Sequence, residues 1–237
     1  MKKIRAALFV RVRGIQGDER GVTLAELIVT ITLLSMMLAM VMTIFVSFTR
    51  SFTSDRSAST NSSSATVAMN ELTRVIRSGT QLKLPSGALS PVFSEAKPEK
   101  VVLTAFLDTQ AANPKPVKVM FEITADRTLV EKRWEVTAEN KGVYTFKSGT
   151  PSSERTIVRQ IAGSGTPVFA YLKSVDVRTP GAPTEILWTE ADPFSKIIAV
   201  TVSMTVQTDP SGAAQTATLQ NTVGIPNLDV PRIGFKP

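Results

Sequence analysis

The residues with the clearest chemical potential lie near the start of the chain, at Gly21 and Glu26. Gly21 carries no side chain, so a protease can approach its backbone closely. Glu26 is the only charged residue between Gly21 and Arg50, and 22 uncharged residues follow it, from Leu27 to Phe48. Placing a carboxylate in such an apolar segment costs about 3 kcal/mol in a membrane. We therefore expect Glu26 to need a cationic partner, or else to lie at the headgroup interface in the first helical turn, where a helix tolerates an anion.

Composition restricts the other chemistry that this chain could perform. The 237 residues include no cysteine and no histidine. Without cysteine there is no disulfide framework and no thiolate metal site. Without histidine the commonest general base and the commonest nitrogen ligand for transition metals are missing. We therefore expect a protein that is not an enzyme and that has no cofactor, no catalytic residue and no metal site.

A few polar groups still deserve comparison with known sites. Asp176, Asp192 and Asp209 could contribute to a calcium site, but they do not form a D-x-D-x-D cluster. Glu185 and Glu190 flank Trp188, and solvated strand positions explain them better than an acid/base pair. We expect Trp188, like Trp134, to anchor the core or the domain surface. A carboxylate-based hydrolase would require a pocket with two facing carboxylates.

The net charge of +7 belongs mainly to the first 21 residues. Residues 1–21 hold six basic and two acidic side chains, so they carry +4 of that total. Lysine and arginine beside an apolar segment stay in the cytoplasm, which predicts an extracytoplasmic C-terminal portion. The remaining charge of +3 over 216 residues is an ordinary surface.

Binding of DNA is possible on composition but is not supported by the charge pattern. The basic residues that could line a weak groove are Arg127, Lys132, Arg133, Arg155 and Arg159. Acidic residues lie among them, at Glu122, Glu131, Glu135 and Glu154. This alternation of basic and acidic residues favours a surface of mixed charge over a cationic groove.

A long N-terminal helix is the first structural element that the sequence predicts. The run from 22 to 49 has no proline or glycine, and about 20 apolar residues suffice to cross a bilayer. A serine- and threonine-rich stretch follows, and residues 67–78 then place Met69, Leu72, Val75 and Ile76 on one face, with Glu71, Arg74 and Arg77 on the other. We expect one helix over 22–78, loosened near 55–64.

The residue pattern changes to a period of two after residue 84, which predicts an antiparallel β domain. A connector rich in proline and serine leads to strands near 101–106, 117–123 and 130–136, with a turn at 124–127. Shorter candidates lie at 142–147, 155–161, 168–173 and 184–189, and the clearest hairpin joins 196–207 to 215–223. The predicted fold class is α+β: a long N-terminal helix, transmembrane in its first half, packed on a C-terminal antiparallel β-rich domain.

The segment Gly21-Val22-Thr23-Leu24-Ala25-Glu26 resembles the signal of type IV prepilins and of the pseudopilins of type II secretion systems. This resemblance implies that prepilin peptidase cleaves after Gly21 and methylates the new amine of Val22. It also implies that Glu26 pairs with that amine on a neighbouring subunit. The family usually has Phe or Met where this chain has Val22. The later helix and β-rich portion are similar to the large minor pseudopilins of the J type and to W-type minor pilins.

The resemblance implies four segments: a prepilin leader (1–21), a transmembrane assembly helix (22–49), its amphipathic continuation (50–79) and an extracytoplasmic β-rich domain (80–237). It implies a minor pilin or pseudopilin of a type IV pilus or secretion filament. The expected partners are prepilin peptidase, other subunits, the inner-membrane assembly platform and membrane lipid. The precursor would be single-pass in the inner membrane before entering a filament at the cell envelope. The alternative is a signal-anchored extracytoplasmic binding protein that never assembles.

Overall fold

The computed structural model describes residues 21–163, 165–174, 185–207 and 215–228. The predicted leader before Gly21 lies outside these residues, as do Asp176 and Asp209. The chain divides into two compact units, residues 1–52 and 53–237. The fold is α+β, as the sequence predicts, with a long N-terminal apolar helix and a C-terminal antiparallel β domain.

Helix α1 runs from Leu24 to Arg77 and contributes to both units. In the first unit all of its side chains, from residue 24 to 52, are exposed. In the second unit one face is buried, and Leu72, Val75 and Ile76 are fully enclosed. The predicted apolar face of residues 67–78 is thus confirmed.

The helix continues without a break through residues 55–64, where the sequence predicts loosening. Thr60 and Thr66 donate their hydroxyl hydrogens to carbonyl oxygens one turn earlier, at 3.0 and 2.8 Å. Asn61 is fully buried and its Nδ2 donates to the carbonyl oxygen of Gln215 at 2.6 Å. A long-range contact therefore holds a stretch whose intrinsic helix propensity is mediocre.

Eleven strands follow in the described residues. They are β1 (Phe93–Lys97), β2 (Lys100–Ala105), β3 (Val117–Ile123), β4 (Leu129–Trp134), β5 (Val136–Asn140), β6 (Val143–Phe146), β7 (Ser153–Val158), β8 (Phe169–Ser174), β9 (Glu185–Leu187), β10 (Ile197–Val206) and β11 (Ala217–Gly224). One sheet has the order β1-β2-β3-β4-β7, a second has the order β11-β10-β8-β9, and β5 and β6 form a separate ribbon. A 3₁₀ turn, Phe194–Lys196, precedes β10.

The β10–β11 hairpin is the element that the sequence predicts best. Val200, Val202, Met204 and Val206 are buried along one face of β10, and the threonines between them are partly exposed. The strands pair antiparallel, with Val202 opposite Asn221. Apolar and polar residues alternate clearly along this strand because one face of the hairpin packs on the core and the other meets solvent.

Strands β1 and β5 have no counterpart among the predicted strands. β1 carries a bulge near Phe93, which interrupts its alternation, and it lies in the segment that the sequence assigns to a connector. Four of the five residues of β5 are exposed, so it has no hydrophobic period to detect. Both strands depend on pairing with neighbours.

An aromatic ladder joins the two larger sheets inside the second unit. The rings of Phe93, Tyr171, Trp188 and Phe194 follow one another at centroid distances of 6.0, 5.7 and 5.5 Å. Tyr171 donates its hydroxyl hydrogen to the carbonyl oxygen of Lys97 at 2.9 Å. Burial raises the pKa of this phenol strongly. Trp188 is therefore a core anchor, as the sequence predicts.

Candidate functional site

The Gly21–Glu26 segment includes the start of α1 at Leu24, and Thr23 caps the helix. The amide of Glu26 donates to Thr23 Oγ1 at 3.2 Å, and the amide of Leu27 donates to the Thr23 carbonyl oxygen at 3.0 Å. Threonine followed three residues later by glutamate is the sequence of a capping box. The cap fixes the helix start at Leu24 and places Glu26 in the first turn.

Gly21 precedes the helix, and nothing in the described structure requires a glycine there. A Cβ added at this position would meet no atom within 4 Å, and its φ lies outside the left-handed region. Packing and backbone conformation therefore leave the glycine unexplained. Val22, next along the chain, is 67% exposed.

Glu26 is exposed, and none of the ion pairs among the described residues includes it. The positive end of the helix dipole supplies partial compensation for an anion in the first turn. A carboxylate in this position can accept a cation from another molecule without breaking an existing pair.

Between Leu27 and Phe48 the helix is apolar on all sides, and its threonine hydroxyls form hydrogen bonds within the helix. Its most apolar window has a mean hydropathy of 2.4, and it is long and apolar enough, by length and composition alone, to cross a membrane. Residues 27–48 would span about 33 Å at 1.5 Å per residue. Threonine hydroxyls at Thr30, Thr32 and Thr43 donate to carbonyl oxygens of the preceding turn at 2.9, 2.7 and 2.8 Å. Such internal pairing lets polar side chains enter an apolar medium.

A charge cluster ties the second half of α1 to the first sheet. Glu71, which the sequence places on the polar face of the helix, accepts hydrogen bonds from Arg74 at 2.6 Å, from Arg133 at 3.2 Å and from Arg155. Glu131 on β4 accepts from Arg133 Nε at 2.7 Å and from Arg155. The polar face that the sequence predicts for this part of α1 therefore meets arginines of the first sheet at Glu71.

Burial and charge have opposite effects on the pKa of Glu71 in this cluster. The Glu131 side chain is fully buried, and the Glu71 side chain is 16% exposed. Hydrogen bonding to Arg74 is the main cause that lowers the pKa of Glu71; burial opposes it, and the charges of Arg155 and Arg133 assist it. Sequence reasoning missed the burial of Glu131, although it shares the inward face of its strand with Leu129 and pairs opposite Phe121.

The five basic residues considered for a DNA groove do not form an unpaired cationic surface. Arg127 pairs with Glu99 at 2.5 Å, and Lys132 pairs with Glu122 at 3.4 Å. Arg133 and Arg155 belong to the charge cluster. Only the fifth, Arg159, forms no ion pair with the described residues.

Of the three candidate calcium ligands, the structure describes only Asp192, and its carboxylate forms an ion pair with Lys173. Lys173 Nζ lies 2.6 Å from Asp192 Oδ2, which also accepts from the amide of Thr189 at 3.1 Å. These donors, led by Lys173, lower the pKa of Asp192 to about 2. No group of three acidic residues among those described could hold a metal ion.

Two surface grooves of about 570 Å³ each lie in the second unit. One lies between Val67 on α1 and the segment 156–159, and the other lies between the turn at 83–87 and the β5–β6 ribbon. Neither groove is lined by a carboxylate, so neither offers the facing carboxylates that a hydrolase needs. The side chain of Glu185 lies outside the described part of the chain.

The chain matches no protein-family model, and a search of curated proteins found no match. The Gly21–Glu26 motif resembles a prepilin signal, and the long apolar N-terminal helix and the antiparallel β domain are compatible with a pilin-like fold. The helix could anchor the chain in a membrane.

Proposed function

We propose that this chain is a minor pilin or pseudopilin, a structural subunit of a type IV pilus or a type II secretion-type filament. The observation that carries the proposal is the single exposed carboxylate, Glu26, in the first turn of a helix that is otherwise uncharged to Phe48. The unexplained glycine before this helix supports it, because a peptidase that needs close backbone access would select glycine there.

In this proposal prepilin peptidase cleaves after Gly21 and leaves a cationic amine on Val22, with methylation as a further step. The Glu26 carboxylate of one subunit then pairs with the Val22 amine of its neighbour. In an apolar environment an unpaired carboxylate costs about 3 kcal/mol, and the pair removes much of that cost. Only the correct register brings the two charges together, so the pair selects the alignment in which the apolar helices form the filament core.

Cleavage is tested by expressing the full chain with and without a prepilin peptidase and sequencing the N-terminus of the product. We expect Val22-Thr23-Leu24 as the first residues only when the peptidase is present. A Gly21→Val variant should stay uncleaved, because its side chain blocks approach to the peptide bond. A product that keeps Met1 in the presence of active peptidase would contradict the proposal and would favour a signal-anchored extracytoplasmic binding protein.

Assembly is tested separately with Glu26→Gln, which keeps the shape of the side chain and removes its charge. We expect normal cleavage and loss of incorporation into filaments formed with the cognate subunits, measured by cross-linking and by the filament fraction after shearing. Thr30→Val is the matched control, since it changes another exposed polar residue one turn further along the helix. Equal incorporation of Glu26→Gln and the control would refute the pairing.

A further inference from the structure

The groove between the turn at 83–87 and the β5–β6 ribbon has two walls that are both tight turns. In the first wall the amide of Gly87 donates to the Leu84 carbonyl oxygen at 2.9 Å, and the amide of Leu84 donates to that of Ala88 at 2.8 Å. Gly87 adopts a φ of 85°, which only glycine tolerates well. Lys83 stands at the base of this turn and lines the groove.

The second wall is the two-residue turn of the ribbon. Asn140 pairs with Val143, and the central residues Lys141 and Gly142 have φ values of 51° and 81°. Two consecutive positive φ values define a type I′ turn, which favours asparagine or glycine at both central positions. The chain instead has a lysine at the first of them, and the turn alone does not explain this choice. Lys141 also lines the groove.

The groove is cationic because two lysines and no acidic residue line it. Some other lysines of the second unit pair closely with carboxylates, as Lys97 and Lys100 do with Glu95 at 2.8 and 3.0 Å. Neither Lys83 nor Lys141 forms an ion pair with any residue that the structure describes. No acidic residue lines the groove, so a ligand there meets two uncompensated positive charges, one from each wall.

The remaining lining indicates the kind of anion. Ala138 pairs with Thr145, and Asn140 pairs with Val143 two positions further along, so these four residues share one face of the ribbon. Glu139 and Tyr144, the pair between them, lie on the other face. The groove therefore meets a face of the ribbon, whereas the backbone pairing that an extended peptide uses would take place at one of the ribbon's two outer edges. Ser86, Asn140 and Thr145 supply hydroxyl and amide groups to the same groove, and Pro85 and Val143 supply apolar surfaces.

We propose that this groove binds an acidic oligosaccharide, with a carboxylate or sulfate of the sugar at each lysine. Hydroxyl groups of the sugar would exchange hydrogen bonds with the serine, asparagine and threonine, and the C–H faces of the rings would contact the proline and valine. The volume of about 570 Å³ lies within the usual range of small-ligand sites. Both turns are held by backbone geometry, so binding requires little ordering of the main chain. This inference does not depend on filament assembly.

The test measures binding by isothermal titration calorimetry. A short oligogalacturonate is titrated into the full chain in detergent micelles at low ionic strength. We expect binding that weakens as salt is added. The double variant Lys83→Ala/Lys141→Ala should bind about tenfold more weakly, as expected for two exposed charge pairs. The variant Lys83→Arg/Lys141→Arg keeps both charges and should bind within about twofold of the original chain.

The matched control is Lys115→Ala/Lys196→Ala, which removes the same charge from two exposed lysines outside the groove. Its affinity should be unchanged, and the melting temperatures of all variants should agree. Equal weakening in the control, equal binding of a neutral malto-oligosaccharide, or no binding of oligogalacturonate would overturn the proposal. Tighter binding of an oligoglutamate peptide than of oligogalacturonate would also overturn it and would indicate a protein partner.

Discussion

Replacing Glu71 by glutamine should destabilise the second unit, because this carboxylate joins the helix to the first sheet. Glu71 and Glu131 together face three arginines, and the substitution leaves three guanidinium groups against one carboxylate. Glutamine keeps the shape of the side chain and one acceptor oxygen. The expected loss therefore reports mainly on charge, with little contribution from packing.

The magnitude follows from how exposed each partner is. Arg133 is 26% exposed, and its contact with Glu71 should contribute about 1 kcal/mol. Arg74 and Arg155 are 47% and 50% exposed, so solvent screens them and each should contribute about 0.5 kcal/mol. The sum is about 2 kcal/mol, which corresponds to a fall in melting temperature of roughly 4–8 °C for a unit of this size.

The pH dependence of the unfolding free energy gives a second, independent test of the role of Glu71. The pKa of Glu71 is lowered in the folded chain, chiefly by its hydrogen bond to Arg74, so the unfolded chain binds a proton at this site more readily. The stabilisation by Glu71 is therefore fully present above the ordinary glutamate pKa, and it is lost as the pH falls through the lowered value. The gap between the original chain and Glu71→Gln should be constant near neutral pH and should shrink below about pH 4.

The assay is thermal unfolding of the full chain in detergent, followed by the fluorescence of Trp134 and Trp188, both of which lie in the second unit. The matched control is Glu154→Gln, the same change at an exposed strand residue that forms no ion pair with the described residues. It should alter stability by less than about 0.5 kcal/mol. Equal melting of Glu71→Gln and the original chain at neutral pH, or a gap that does not change with pH, would refute the reasoning.

Two further predictions concern other contacts of the second unit. Gly79→Ala should cost about 2 kcal/mol in thermal unfolding, because a Cβ there would lie 2.8 Å from Val92 Cγ1 and 2.9 Å from a backbone oxygen of the last helical turn. Gly224→Ala, where nothing lies within 4 Å, is its control and should melt close to the original chain. Lys173→Met should raise the pKa of Asp192 from about 2 toward its ordinary value, as followed by NMR titration of the carboxyl carbon. An unchanged titration midpoint would show that Lys173 is not the main cause.

Much of the fold could be predicted because its signals are local. The uncharged run from Leu27 to Phe48 determines an apolar helix by composition alone. Alternation in 196–207 determines a half-buried strand, because successive side chains of a strand point to opposite faces. The sequence motif at Gly21–Glu26 likewise needs no tertiary structure to be noticed, and the predictions of cleavage and subunit pairing that rest on it stay predictions.

The placement of charges could not be predicted in the same way. Periodicity puts Glu71 on the polar side of its helix, but it does not say whether that side meets water or the arginines of β4 and β7. Glu131 lies 60 positions away in the chain, and its burial depends on both elements packing together. Strand β1 was missed for a related reason, since a bulge breaks its alternation and only pairing with β2 defines it.

The sequence by itself therefore determined the long apolar helix, the predicted assembly segment with its single carboxylate, and the change to a β-rich domain. The tertiary structure decided which charges are neutralised and which stay available. It paired Glu71 and Glu131 with Arg155, which is distant from both in the chain, and it brought Lys83 and Lys141 from separate turns to one groove with no acidic residue in its lining. The physical reason is that helix and strand periods depend on neighbours within a few residues, whereas an ion pair depends on folding distant segments to within 4 Å.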